Sequence, residues 1–311
     1  MHYGQGPFLD ALYDALVPPS PPRLIRSNTN LIYDCGDLIL RLTPCSFRPA
    51  EDVTKELHWL HDVGEHLPDV VRVEGDDPTR TQPFAFADEH FTVTRFVKIE
   101  GRPIQQQEWN ADHFQRLGQL AGSLHRIERA YAPPAEFDLP EWDRTPEACL
   151  AQHLPEDERE LPRLNKRVFD VMQAMPRRAA TYGPIHYDLH AGNYLITPDG
   201  RMVLFDFENS CRGHYINDIA VALYYARLQP FSGDDDGFDD AFLASFWKGY
   251  EQQYAVPTGE MESIPWLLLN RGLIVYGYLQ KIWPGERSAE QQRFIVRVER
   301  GIVRVRKPLG V

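Results

Sequence analysis

The stretch HYDLHAGNYLI, residues 186–196, constrains this chain more than any other part of its 311 residues. It contains the pattern H-x-D-x-x-x-x-N, formed by His186, Asp188 and Asn193, and a second aspartate, Asp206, follows the next apolar run, MVLF. A lone H-x-D is usually a polar turn, but this longer set is a poor match for an accidental turn. The pattern therefore indicates a functional loop followed by a strand that carries a second carboxylate.

Phosphoryl transfer is the chemistry that this set of side chains favours. Such a site needs one carboxylate to accept the proton of the attacking hydroxyl, and oxygen ligands, from a second carboxylate and an amide, for Mg²⁺. Asp188, Asp206 and Asn193 supply these groups. The Asp199-Gly200 pair predicts a hairpin between Tyr194 and Phe207, and its paired strands are expected to return Asp206 to a position beside Asn193.

A metal-dependent hydrolase is the alternative that the same stretch leaves open. In an extended strand, His186, Asp188 and His190 would share one face and could hold zinc or iron. Gly192 argues against a strand of that length. Such a site would need a further ligand or an open position, and three more histidines are available for it: His113, His125 and His214.

The rest of the chain divides into a strand-rich part and a helical part. Short β-prone runs at 24–26, 31–33 and 38–42 precede a helical pattern at 48–68, and two further strands follow within 84–97. After Gly101 the apolar spacing is mainly helical. The sequence predicts a small sheet-and-helix lobe and a larger helical lobe, with the boundary near residues 98–101.

The motif residues resemble a known family. HYDLHAGNYLI with VLFDFENS is similar to the aminoglycoside phosphotransferase-like family of small-molecule kinases, as are RLGQLAGSLHRI and NDIAVALYYA. Tyr187 and Phe205 stand where that family commonly has glycine and isoleucine or valine. The resemblance implies an α+β, two-lobed, protein-kinase-like fold, with an antiparallel N-terminal lobe at 1–97 that binds nucleotide and a catalytic, substrate-binding lobe at 98–311.

The resemblance also implies roles for individual residues in an ATP- and Mg²⁺-dependent reaction at a hydroxyl group. Asp188 would be the catalytic base, and Asn193 and Asp206 would be the metal ligands. Asp218 resembles the aspartate that braces the catalytic loop. His186 would be a structural support of the loop, and His190 would order it through a hydrogen bond.

The small lobe is expected to supply a cation and a loop for the phosphates of ATP or another nucleoside triphosphate. In LILRLTP, alternation places Arg41 on the face opposite Leu38, Leu40 and Leu42, where the family usually has lysine, and Glu56 on the following helix is its matching carboxylate. An exposed strand residue and a solvated glutamate are the alternative. The expected phosphate loop has no glycine and consists of Ser27, Asn28, Thr29 and Asn30; a plain β-turn explains it equally well.

Composition limits the kinds of partner that we expect for this chain. A net charge of −12 argues against binding to nucleic acid phosphates. The four cysteines form no C-x-x-C pair, and neither a signal peptide nor a membrane span is apparent, so we expect a cytoplasmic protein without a membrane partner. Acidic segments at 155–160 and 232–240 and aromatic-rich C-terminal helices favour an acceptor that carries an amine.

A catalytically weak, nucleotide-binding pseudokinase is a further alternative. Arg41 in the usual lysine position and the glycine-free loop favour it, whereas the intact Asp188, Asn193 and Asp206 oppose it.

Overall fold

The computed structural model describes residues 3–310 except 76, 78, 147, 149–152, 155–159, 230–231 and 233–236, and it describes Glu128 without its side chain. The chain forms two compact units. The N-terminal unit comprises Met1–Arg102, Tyr131–Leu139 and Leu195–Glu208; the C-terminal unit comprises Pro103–Ala130, Pro140–Tyr194 and Asn209–Val311. The division into lobes at 1–97 and 98–311 stays a prediction.

A five-stranded antiparallel sheet is the main element of the N-terminal unit, and its strand order is β1-β2-β3-β5-β4. The runs predicted as strands all lie in it. The strands are β1 (Arg23–Ser27), β2 (Leu31–Asp34), β3 (Leu38–Pro44), β4 (Gln82–Phe86) and β5 (Glu89–Val97).

Helix α1 (Pro7–Leu16) covers one face of this sheet, and the sequence interpretation did not predict it. Phe8 and Leu12 are buried at helical spacing against sheet residues that include Tyr33 and Leu40. The helix is short and lies among prolines and glycines, so its local signal is weak. Its stability therefore comes from burying apolar side chains against the sheet.

Helix α2 (Ala50–His66) contributes the apolar stripe that its sequence predicts. Val53, Leu57, Leu60 and Val63 are all buried. Pro49 lies at the N-cap of this helix. Glu56 is buried on the same helix, so its carboxylate requires a cationic or hydrogen-bonding partner.

Helices dominate the C-terminal unit. They are α3 (Ala111–Glu128), α4 (Glu160–Ala174), α5 (Tyr215–Leu228), α6 (Phe238–Tyr250), α7 (Ile264–Ile282) and α8 (Ala289–Leu309). Two antiparallel strands that the sequence interpretation missed, β6 (Tyr182–Ile185) and β9 (Cys211–His214), pair in the same unit. No helix in the described part of the chain is both long and apolar enough to cross a bilayer.

Helices α3 and α6 approach each other closely enough to require glycine at their contact. A Cβ atom on Gly249 would lie 1.8 Å from the carbonyl oxygen of Gln115, and one on Gly118 would lie 2.0 Å from that of Phe246. Neither position has room for a side chain, because backbone is in the way. This contact fixes α3 relative to α6, and each of these helices contributes a side chain to the support of the loop at 186–193.

The predicted hairpin is present. Strands β7 (Tyr194–Ile196) and β8 (Met202–Leu204) pair, and Gly200 in the turn has a φ of 84°, which glycine adopts without strain. The division between the two units falls within β7, after Tyr194. Asp206 therefore belongs to the N-terminal unit, and Asp188 and Asn193 belong to the C-terminal unit.

Candidate active site

Asp218 on α5 fixes the backbone of the loop that begins at His186. Its two carboxylate oxygens accept hydrogen bonds from consecutive amides, that of His186 at 3.0 Å and that of Tyr187 at 2.7 Å. Asp218 is fully buried. Hydrogen bonds to a buried carboxylate are strong and costly to lose, so this contact holds the start of the loop in one conformation.

A buried chain of side chains extends from Asp218 to the α3–α6 contact. The Oδ2 atom of Asp218 lies 3.3 Å from Nε2 of His125, and Nδ1 of His125 lies 2.7 Å from the hydroxyl of Tyr250. A carboxylate only accepts, so His125 donates from Nε2 and accepts the tyrosine proton at Nδ1. The glycine contacts between α3 and α6 thereby help to hold Asp218.

Asp188 is held by groups of its own loop. The Asn193 amide nitrogen donates to the Asp188 carbonyl at 2.9 Å and to its Oδ2 atom at 3.0 Å. The amide of Gly192 donates to Nδ1 of His190, so Nε2 of His190 carries the proton and faces Asp188 Oδ2 at 3.2 Å. The Asp188 amide donates to Nδ1 of the buried His186 at 3.3 Å. The carboxylate thus has a fixed direction.

An arginine that the sequence interpretation did not single out completes the surroundings of Asp188. Arg271, on α7, is 1% exposed, and its Nη1 atom lies 3.5 Å from Asp188 Oδ1. Burial opposes ionisation of Asp188, but the neighbouring His190 and Arg271 outweigh it and hold the pKa of this carboxyl below its ordinary value. Asp188 is therefore a carboxylate at neutral pH.

Asn193 has one side-chain atom left for a ligand. Its amide nitrogen is used by Asp188, which leaves the amide oxygen as the atom that can meet a cation. Amide and carboxylate oxygens are the ligands that Mg²⁺ prefers. The contacts of Asn193 with Asp188 therefore involve its amide nitrogen and not its amide oxygen.

Asp206, in the N-terminal unit, follows β8 and has a backbone φ of 66°. Non-glycine residues rarely adopt this left-handed conformation, although aspartate tolerates it better than most. Arg26 lies 3.8 Å from its carboxylate, and two residues further along Glu208 accepts a hydrogen bond from Asn30. Strained backbone of this kind concentrates at functional sites.

Arg41 and Glu56 meet as the family resemblance implies. Arg41 forks to the two oxygens of Glu56 at 2.7 and 3.0 Å, and Arg48 bonds the same carboxylate. Both Arg41 and Glu56 are buried, and the Arg41 guanidinium lies 5.1 Å from the centre of the Phe96 ring. Burial opposes ionisation of Glu56, but the two arginines outweigh it and lower the pKa of its carboxyl. The reading of both residues as exposed is therefore wrong.

The predicted phosphate loop connects β1 to β2. Ser27 and Asn28 are exposed, Thr29 is half-buried and Asn30 is buried. Asn30 donates through Nδ2 to Glu208, so the end of the loop is tied to the segment that carries Asp206. The exposed residues present their polar groups to solvent, where an anion could meet them.

Replacing Arg41 tests its part in nucleotide binding. Arg41→Ala is expected to raise the KM for ATP and to lower turnover, and Arg41→Lys is expected to keep part of the activity, because lysine retains the charge but does not fork. Steady-state kinetics over an ATP series measure both effects. Arg23→Ala, which removes an exposed arginine paired with Asp34, is the matched control. Parent-like kinetics in Arg41→Ala would exclude Arg41 from the nucleotide site.

The histidines proposed for the hydrolase alternative have other partners. His113 contacts the hydroxyl of Tyr194 at 2.8 Å, His125 is bound as described above, and His214 lies 3.4 Å from Glu260. Both ring nitrogens of His190 are engaged within its own loop. The described part of the chain contains no group of three histidine, cysteine, aspartate or glutamate side chains arranged to hold a metal ion. The described residues therefore supply no cluster of the kind that the metal-dependent hydrolase alternative requires for zinc or iron.

Known proteins share this sequence and fold. Residues 25–260 match the model of the phosphotransferase enzyme family. Amicoumacin kinase of Bacillus subtilis (strain 168) is 26% identical over 286 residues, which cover 87% of this chain and 83% of that protein. Homoserine kinase of Pseudomonas aeruginosa (strain LESB58) is 27% identical over 283 residues, 86% of this chain and 81% of that protein.

A solved structure agrees in fold. The amicoumacin kinase hAmiN, in complex with AMP-PNP, Ca²⁺ and Ami, has a TM-score of 0.83 at 23% identity and covers 90% of this chain and 87% of its own. The fold is α+β and kinase-like, with an antiparallel N-terminal sheet and a helical C-terminal region, as predicted. The chain belongs to the phosphotransferase enzyme family. It is accordingly a small-molecule kinase that acts on a hydroxyl group.

Proposed function

We propose that this protein transfers the γ-phosphoryl group of ATP, in the presence of Mg²⁺, to a hydroxyl group of a small molecule that carries an amine. The observation that most supports the catalytic part is the environment of Asp188 in the loop at 186–193. His190 and Asn193 of the same loop, together with Arg271 of α7, fix Asp188 as an oriented carboxylate. A carboxylate that is ionised and oriented is what a base for a hydroxyl proton requires. Asp188 is the proposed base.

Asn193 and Asp206 are the proposed metal ligands. The donor set suits a hard divalent cation, since it consists of an amide oxygen and a carboxylate. When bound, Mg²⁺ would neutralise charge on the phosphates. The solved relative named above holds Ca²⁺, which supports a divalent cation without identifying it.

Arg41 and residues 27–30 are the proposed contacts to the triphosphate, with Glu56 as the partner that orients Arg41. The fork to Glu56 leaves the guanidinium in one orientation, and Asn30 is tied to Glu208. A fixed cation and a loop with exposed polar groups are what a triphosphate needs. Asp188 would accept the proton of the acceptor hydroxyl as the hydroxyl oxygen bonds to the γ-phosphorus, while the bond from that phosphorus to the β–γ bridging oxygen breaks and ADP leaves.

The amine on the acceptor is proposed from charge. Of the two acidic segments, 155–159 and 233–236 lie outside the described residues, and Asp239 is bound by Arg227 at 2.7 Å. Several aromatics of α6, among them Phe242, Phe246 and Tyr250, are buried in the helical core. The support therefore rests on the acidic composition and on the acceptor named for one relative, homoserine kinase, because homoserine carries an amine.

Matched acceptors test the amine. After a screen of ATP consumption against amino alcohols, hydroxylated amino acids and aminoglycosides, the amino and deamino forms of each accepted substrate are compared at low and high salt. The amino form is expected to have the higher kcat/KM, and salt is expected to reduce the difference by screening the attraction. Equal use of both forms, or a best acceptor that is neutral or anionic, would contradict the amine while leaving phosphoryl transfer intact.

A weakly active, nucleotide-binding protein is the second candidate, because both Nη atoms of Arg41 bond Glu56. The same screen separates the two. Nucleotide binding by calorimetry without acceptor-dependent ATP consumption, across the whole panel, would favour this second candidate.

A further inference from the structure

Arg271 is a buried cation in the middle of an apolar helix. It lies within the run LLLNRGLIV of α7 and is 1% exposed. A buried charge is stable only where other groups compensate for the lost hydration. The groups that contact Arg271 are therefore the groups that compensate for its buried charge.

Four contacts surround the guanidinium. Nη2 donates to the carbonyl of Tyr187, and Nη1 lies 3.5 Å from Asp188 Oδ1. The guanidinium carbon lies 4.9 Å from the centre of the Tyr187 ring and 5.9 Å from that of Tyr225. Cations favour the faces of aromatic rings, and this attraction grows when water is excluded.

The two oxygens of Asp188 have different partners. Oδ2 faces Asn193 and His190, both of its own loop. Oδ1 faces Arg271, which comes from a separate helix. Asn193 and His190 fix one oxygen from within the loop, and Arg271, 3.5 Å from the other oxygen, adds an attraction that ties the loop to α7.

Tyr187 explains how the arginine is accommodated. Its φ is 65°, in the left-handed region where a tyrosine is strained and a glycine is not. The residue is nevertheless fully buried, and its ring and carbonyl both contact Arg271. The strain is offset by contacts that glycine would not make.

We infer that Arg271 and Tyr187 act together as positioning residues for Asp188. Arg271 holds the direction of the carboxylate, and the Tyr187 ring holds the arginine in place. This inference rests on the proposed role of Asp188 as the base. The aromatic contact depends on the Tyr187 ring, which a glycine at this position would lack.

Kinetics with Arg271 variants test the positioning role. Arg271→Met is expected to lower kcat about 100-fold, the scale of a misplaced catalytic group, with the KM for ATP little changed. Arg271→Lys, which retains the charge, is expected to recover part of that loss. Arg297→Met, which removes an exposed arginine bound to the carbonyl of Leu228, is the matched control and is expected to leave kcat unchanged.

Tyr187 variants test the aromatic contact. Tyr187→Gly relieves the strained backbone but removes the ring, so kcat is expected to fall, whereas Tyr187→Phe keeps the ring and is expected to retain most of it. If Tyr187→Gly turns over as fast as the parent, the ring has no positioning role and the inference is wrong in that part.

A double-mutant cycle measured by thermal unfolding tests the contact between Arg271 and Asp188 independently of catalysis. Asp188→Asn leaves the Arg271 charge buried without its carboxylate and is expected to lower Tm by about 5 °C. Adding Arg271→Met is expected to restore part of this loss. Additive Tm changes would overturn the coupling. If Arg271→Met does not fold, the kinetics of Arg271→Lys and Tyr187→Gly test whether Arg271 and Tyr187 position Asp188.

The proposed role of Asp188 as the base and the positioning role of Arg271 can be disproved separately. If Asp188→Asn keeps parent turnover, the proposed base is wrong, and the unfolding cycle still reports whether Arg271 and Asp188 are coupled. If Asp188→Asn is inactive but every Arg271 variant has parent kinetics, the base is retained and the positioning role is overturned.

Discussion

Asp188→Asn is expected to fold and to bind nucleotide, and to lose phosphoryl transfer by about 100-fold or more, the scale of a positioned base. The change removes one charge and preserves the size of the side chain. Oδ2 faces two donors, from Asn193 and His190, so the amide oxygen takes that place. The amide nitrogen then faces Arg271 and repels it, because both are donors.

Three measurements on this variant separate chemistry from folding. Acceptor-dependent ATP consumption reports turnover, calorimetry reports nucleotide affinity, and thermal unfolding reports stability. Asp170→Asn is the matched control, since Asp170 is an exposed aspartate of the same unit, paired with Lys166 on the surface. Turnover near that of the parent in a folded Asp188→Asn protein would remove Asp188 from the mechanism.

Local spacing was enough to predict several parts of the structure. The hairpin after Asn193 follows from an Asp-Gly turn between two apolar runs. The resemblance to the kinase family implied the pairing of Arg41 with Glu56, and the strand period of two placed Arg41 on the face opposite the three leucines. Each depends on neighbours within a few residues or on one adjacent element.

Contacts between distant segments were beyond local spacing. Arg271 lies in an apolar run, where a single charge gives no indication of its partner. That partner, Asp188, lies far away along the chain. The chain from Asp218 through His125 to Tyr250 joins three helices. Strands β6 and β9 are short and become strands only by pairing with each other.

Buried charge is the signal that could have identified Arg271 earlier. A helix with an apolar residue at almost every position is buried on all sides, so any charge within it requires a specific partner. Such an arginine is a candidate to contact a functional carboxylate. The same reasoning places Arg41 and Glu56 together, and there the family resemblance had already implied the pair.

Asp206→Ala is expected to abolish Mg²⁺-dependent nucleotide binding, a larger loss than the roughly 10–100-fold that follows removal of a group merely supporting a metal ligand. Asn193→Ala is expected to weaken binding less, because an amide supplies an oxygen but no charge to the ion. Asp206 also has a left-handed backbone, which alanine tolerates poorly. Asp206→Asn is therefore the sharper variant, since asparagine adopts that conformation readily and removes the charge alone.

Calorimetric titration with ATP, with and without Mg²⁺, distinguishes the metal role from a general loss of affinity. If Asp206 is a ligand of the metal, its replacement is expected to reduce the Mg²⁺-dependent part of the ATP affinity. The affinity measured without Mg²⁺ is expected to stay close to that of the parent, because the carboxylate acts through the ion. Asp199→Ala, which removes an exposed aspartate in the turn of the β7–β8 hairpin, is the matched control in the same unit. If Asp206→Asn binds Mg²⁺-ATP as tightly as Asp199→Ala does, the carboxylate of Asp206 does not hold the metal, and its left-handed backbone then reflects the turn after β8 alone.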